Sequence, residues 1–103
     1  MFSIVYITAG NMDESKRIAR ELVEMRLAAC ANIFPISSIY RWKDHIEEAE
    51  EFVILVKTKS SRVKDIEKKV KEMHSYEVPC IVSFRMDEGS VDYLNWIDGS
   101  VED

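Results

Sequence analysis

The side chains able to do chemistry are few, and the densest group of them is the stretch HSYEVPC, residues 74–80. His74 and Cys80 stand six positions apart there, with Tyr76 and Glu77 between them. A neutral imidazole and a thiolate are ligands for copper or zinc, and a turn between a helix and a strand could fold the two together. The same residues suit a plain handover, in which His74 closes a helix whose C-terminal dipole favours a cation and Cys80 packs in the next strand. Two side chains do not close a metal site, so spacing alone leaves both readings open. Cys30 lies in the small-residue context LAACAN with no ligand near it in sequence, and unpaired cysteine is among the most buried residue types.

Other groups carry weaker signals. Lys57 ends a run of five apolar residues, Phe52 to Val56. Either it is half-buried against a carboxylate or bound anion, or it marks where the strand meets water. Tyr40 and Trp42 share one face of a strand, as interface residues do. The acidic run Glu47, Glu48, Glu50 and Glu51 has oxygen enough for a hard cation, but strand alternation sends adjacent carboxylates to opposite faces. A solvated edge that resists strand pairing is therefore expected. No glycine-rich phosphate loop, nucleophile motif or His-x-x-x-His pair occurs. Binding rather than catalysis is expected, with no organic cofactor.

These groups must be held by a chain of 103 residues, which suits one domain spanning 1–103. With 47% hydrophobic and 32% charged residues, three glycines and two prolines, the composition is that of a folded globular protein. A formal charge of -5 and no basic stripe argue against nucleic acid and make cationic ligands easier to accept. The opening MFSIVYITAG lacks a basic leader and reads as a strand, and no apolar run approaches the roughly 20 residues that cross a bilayer. Two cysteines fifty residues apart fit reduced thiols in cytoplasm better than a disulfide framework.

The pattern along the chain supplies the elements. Phe2–Thr8 is a strand that turns at Gly10, and Asn11 with Glu14 forms a capping box opening an amphipathic helix to about Leu27. NIFPISSIYRW is a long strand, at an edge or bulged because Pro35 lacks a donor. A turn at Lys43-Asp44-His45 joins it to a second long strand ending in the apolar run. Ser60 or Ser61 caps the next helix, with Val63, Ile66, Val70 and Met73 inward and the pairs Asp65/Lys69 and Glu67/Lys71 outward. That helix ends near His74. Val78–Met86 follows as a strand, then a short helix, Ser90–Ile97, with Gly99 as its stop. The order βαββαβ with right-handed crossovers gives a ferredoxin-like α+β sandwich: a four-stranded antiparallel sheet with two helices on one face and a short C-terminal helix. In FVILV and IVYI both alternating sets are apolar, so the second sheet face needs cover, and another copy of the chain is the simplest one.

The blocks ARELVEMRLAACANIFP, YRWKDHIEEAEEFVILVKT, HSYEVPCIV and DYLNWI resemble, in order and over nearly the whole chain, those of the CutA family of divalent-cation tolerance proteins. The resemblance implies a ferredoxin-like subunit, a cytoplasmic homotrimer with sheets packed inward, and clefts between subunits like those of nitrogen-regulatory signalling trimers. It places Trp42, Lys57, His74, Tyr76 and Glu77 on those clefts and Cys30 on the cysteine of the family's AAC block. It implies copper or another divalent cation as ligand, with His74, Cys80 and Cys30 as candidate donors. Family members credited with copper binding carry one cysteine and two adjacent histidines where this chain has Ile7, Met73 and His74. Ser75 replaces a usual proline and Cys80 a usual glutamate, although Met73 and Cys80 are soft donors suited to copper(I). The alternative is a signalling or scaffold trimer holding a small anionic metabolite or partner protein through Lys57 and Tyr76.

Overall fold

The computed structural model describes all 103 residues. Strand β1 (Phe2–Ala9) leads to helix α1 (Met12–Glu24), then β2 (Cys30–Trp42) and β3 (His45–Lys59). A single 3-10 turn over Ser60–Arg62 opens α2 (Val63–Met73), followed by β4 (Ile81–Arg85) and α3 (Val91–Ser100). The four strands form one antiparallel sheet in the order β2-β3-β1-β4, which is the ferredoxin-like arrangement. Pro35 sits on β2, an edge strand, where its missing donor costs nothing.

Alternation along β1 divides the sheet cleanly. Val5, Ile7 and Ala9 join Ile54 and Val56 of β3 beneath Ile18, Leu22, Ile66 and Val70 of the two main helices, forming the core. Fully burying one such side chain is worth about 1.5–3 kcal/mol, so this face fixes the register. The other face carries Ile4, Tyr6, Leu55, Phe34, Val82 and Phe84. Helix α3 covers only one end of it: Ile97 packs with Ala29 and Val101, against Phe2 and Leu94. The remainder is open, with Phe84 57% and Val82 47% exposed.

Several local expectations are corrected. Helix α1 stops at Glu24, short of Leu27, because Arg26 takes a left-handed φ of 59°. Leu27 and Arg26 then donate to the Leu22 and Val23 carbonyls in a Schellman closure. The Arg26 guanidinium donates to the Gly99 carbonyl at 3.1 Å, which ties that closure to α3. Asn11 caps α1, accepting from the Glu14 amide at 2.8 Å, but the Glu14 carboxylate turns away to Ser75, so only half the capping box forms. Neither Ser60 nor Ser61 caps a helix: the turn there has no side-chain cap bond, and Ser60 Oγ instead meets Ser3 Oγ at 2.6 Å. Asp65 pairs with Arg62 and Lys69 with Glu72, rather than with each other, while Lys71 and Glu67 pair at 3.0 Å. Strand β4 starts at Ile81 rather than Val78, and Gly99 lies inside α3, which closes at Val101.

The β2–β3 hairpin runs well past the rest of the sheet. β1 pairs with β3 only as far as Ala9 opposite Phe52, whereas β2 and β3 continue together to Trp42 opposite His45. A two-residue turn closes it, with Lys43 and Asp44 at φ 48° and 67°, the both-positive combination that matches strand twist.

Candidate functional site

Residues 74–80 leave α2 and cross the end of β1. His74 is the last residue to bond back into the helix, its amide donating to the Val70 carbonyl at 2.8 Å, and its own ψ of 141° is already extended. Its imidazole swings inward and is fully buried. Nε2 lies 2.7 Å from the Thr8 carbonyl oxygen, and Nδ1 accepts from the Tyr76 amide at 3.0 Å. Because the carbonyl can only accept and the amide can only donate, the ring is held as the neutral tautomer protonated at Nε2. Both nitrogens are thereby committed within the chain.

Glu14 anchors the same turn from α1. Its carboxylate, 4% exposed, accepts from the Ser75 amide at 2.8 Å and the Ser75 hydroxyl at 3.0 Å, with His74 Nδ1 at 3.7 Å. Burial by itself would raise this carboxyl, but the two Ser75 bonds, with Arg17 nearby, outweigh it and hold the group below its ordinary value. Ser75 thus supplies two donors, neither of which a proline at this position would have.

Tyr76 reaches across to β3, where its hydroxyl donates to Glu51 Oε2 at 2.8 Å. Gly10 makes room for it: a Cβ there would stand 3.2 Å from Tyr76 Oη. Gly10 therefore serves close approach, since no glycine in the chain has a positive φ. Burial, then the neighbouring Glu51 carboxylate, pushes the Tyr76 phenol far above its ordinary value. Glu51 is only 5% exposed, which overturns its place in a solvated acidic edge. It shares a face with Val53 and Leu55, so the alternation already visible in the sequence could have singled it out.

Tyr76, Glu51, Trp42, Tyr40 and Cys80 line one depression of about 680 Å³ between the hairpin and the end of β1. Cys80 is exposed there, and burial of part of its surface raises the thiol; the neighbouring Thr8 partly offsets this and Glu51 adds to it. The thiol keeps its proton at neutral pH, so a metal ion would have to displace it.

The other expected site residues lie elsewhere. Cys30 pairs across the sheet with Lys57 at the α3 end, where its sulfur meets Tyr93 Oη at 3.5 Å. Lys57 Nζ donates to Asn32 Oδ1 at 2.8 Å and stands 5.6 Å from the Tyr93 ring centroid. Its partner is therefore an amide, not a carboxylate. Within one chain Trp42 and Tyr76 share a depression, while Lys57 and Cys30 form a second group, and Glu77 borders a separate hollow with Lys71 and Glu67. No three His, Cys, Asp or Glu side chains converge as a metal cage would require.

An antiparallel βαββαβ sheet with a turn-anchored depression beside a protruding hairpin defines a ferredoxin-like α+β fold. Residues 3–100 match the family model described as CutA1 divalent ion tolerance protein, and the chain belongs to that family. It is 46% identical over 102 residues to the divalent-cation tolerance protein CutA of Archaeoglobus fulgidus, covering 99% of this chain and 100% of that one. The solved structure of that relative, described as periplasmic, superposes with a TM-score of 0.97 over the same shares. The divalent cation tolerance protein from Thermus thermophilus gives a TM-score of 0.95 at 40% identity, covering 99% of this chain and 100% of that one. Human CutA is 42% identical over 96 residues, which are 92% of this chain but 54% of the human protein.

Proposed function

We propose that the protein serves divalent-cation tolerance as a homotrimer, by binding rather than by catalysis, in a reducing compartment such as the cytoplasm. The observation that carries the assembly is the open half of the second sheet face, where Phe84, Val82 and Phe34 are exposed together. An apolar surface of this kind on an otherwise acidic chain calls for a protein cover, and three copies related by a closed rotation supply it without leaving an open end. Copper, or another divalent ion, is taken up beside Cys80, the one thiol exposed in the depression. Donors from a neighbouring copy complete the coordination that one chain lacks. Two unpaired cysteines are consistent with reduced surroundings.

Native mass spectrometry of the reduced protein, with and without copper and zinc salts, tests both parts at once. A trimer is expected, with near-stoichiometric metal that falls in Cys80→Ser and persists in His74→Gln. Phe84→Glu, which places a charge on the covered face, is expected to yield monomers. A wild-type monomer at micromolar concentration refutes the assembly, and a trimer that takes up no metal refutes the ligand.

A further inference from the structure

Helix α3 is joined to the molecule by different means from α1 and α2. Those two pack on a core of 12 buried residues, whereas α3 docks through a separate cluster in which only Ala29, Ile97 and Val101 are buried. So small an apolar contact leaves a unit whose local opening costs less than opening the sheet. The last backbone bond before the helix is that of the Met86 amide to the Phe2 carbonyl, at 3.0 Å, and residues 87–90 then lead into it.

What fastens α3 lies at its far end. Lys59 Nζ, on a side chain only 12% exposed, meets Asp98 at 3.2 Å and Asp103 at 2.5 Å. Arg26 adds a second tie: its guanidinium donates to the Gly99 carbonyl, and its own carbonyl accepts from the Glu102 amide at 2.9 Å. Nearer the start of the helix, Tyr93 rests on the sheet, its hydroxyl 3.5 Å from the Cys30 sulfur and its ring centroid 5.6 Å from Lys57 Nζ. We propose that α3 is a lid that opens as one unit about residues 87–90, with Lys59 as its latch and the Cys30 thiol and Lys57 ammonium beneath it. The latch is ionic, so salt and loss of the ammonium both weaken it, while the apolar packing of α1 and α2 responds little to either.

The test is native-state hydrogen exchange of the assembled protein, read by mass spectrometry, with alkylation of the two cysteines by iodoacetamide followed in parallel. In the wild type the amides of residues 91–101 are expected to exchange faster than those of β1 and its partner residues 52–58. Lys59→Met, which keeps the apolar stem and removes the charge, is expected to speed exchange in α3 at least about three-fold and to leave the sheet unchanged. Cys30 alkylation should rise by the same factor, while Cys80, exposed and outside the lid, keeps its rate. About 1 M sodium chloride, at which charges are screened beyond about 3 Å, should act on the wild type in the same direction and have no such effect on Lys59→Met. Helix and sheet amides that exchange together in both proteins overturn the proposal, as does a Cys30 rate that Lys59→Met leaves unchanged. If Lys59→Met also loosens the sheet, the salt series on the wild type decides: acceleration confined to α3 supports the lid, and none overturns it.

Discussion

Replacing Glu14 by alanine removes the group that receives both donors of Ser75 and faces His74. The Ser75 amide is left without its partner, and hydrogen bonds to a charged acceptor are worth about 1.5–3 kcal/mol each. The two bonds act on one residue and do not add fully, so a loss of about 3 kcal/mol is expected for Glu14→Ala. Glu14→Gln keeps one carbonyl oxygen for the Ser75 amide and is expected to lose about 1 kcal/mol. The pH dependence separates charge from shape. The Glu14 carboxyl is held below its ordinary value of 4.5 in the folded chain, so its contribution is complete above that value and disappears as pH falls through the lower folded value. The gap between wild type and Glu14→Gln should therefore close on acidification. Urea denaturation at fixed protein concentration, at neutral pH and at several points below pH 4.5, measures it. A gap that stays constant or widens toward acid refutes the charge argument, and equal losses for alanine and glutamine refute the hydrogen-bond argument.

Two further outcomes follow from other parts of the structure. Asp44→Gly is expected to raise the melting temperature slightly, because Asp44 holds a φ of 67° where glycine carries no Cβ penalty; thermal denaturation would show it, and a fall in Tm would contradict the turn. In alkaline spectrophotometric titration of the four tyrosines, the phenol missing from Tyr76→Phe should be one that resists ionisation in the wild type. If Tyr76→Phe instead removes a phenol that titrates normally, the buried bond to Glu51 is wrong.

Patterning made much of the fold legible. The apolar residues of α1 recur at helical spacing because one stripe meets the sheet. Asn11 was readable as a cap because its role depends on residues three positions away. The failures share a different cause: each depends on a partner remote in sequence. Ser60 resembles a cap until Ser3 is placed beside it, and Arg26 has no local reason to adopt a left-handed turn until α3 returns to bind it. Gly99 looks like a helix stop, but the chain had another turn to complete. The candidate site was partly legible for the same reason. Tyr76 and Trp42 do meet in one depression, but the choice between ligand and helix closure for His74 stayed open because nothing near it in sequence reveals the Thr8 carbonyl, 66 residues away, that its ring meets. Glu14 looks like one half of a local capping box until Ser75, 61 residues away, is placed beside it, whereas the burial of Glu51 could be read from its place on a strand face with Val53 and Leu55.

The protruding hairpin bears on how the chain reaches its final form. Residues 37–50 have only each other as sheet neighbours, and a two-stranded ribbon is marginal by itself in water. Nothing in the core stabilises that arm directly, so in a newly folded single chain it opens and closes long before the rest of the sheet does. Its amides would exchange fast until another surface meets it. In the proposed trimer the last step of folding is then a second-order event, with a rate set by protein concentration rather than by the chain alone.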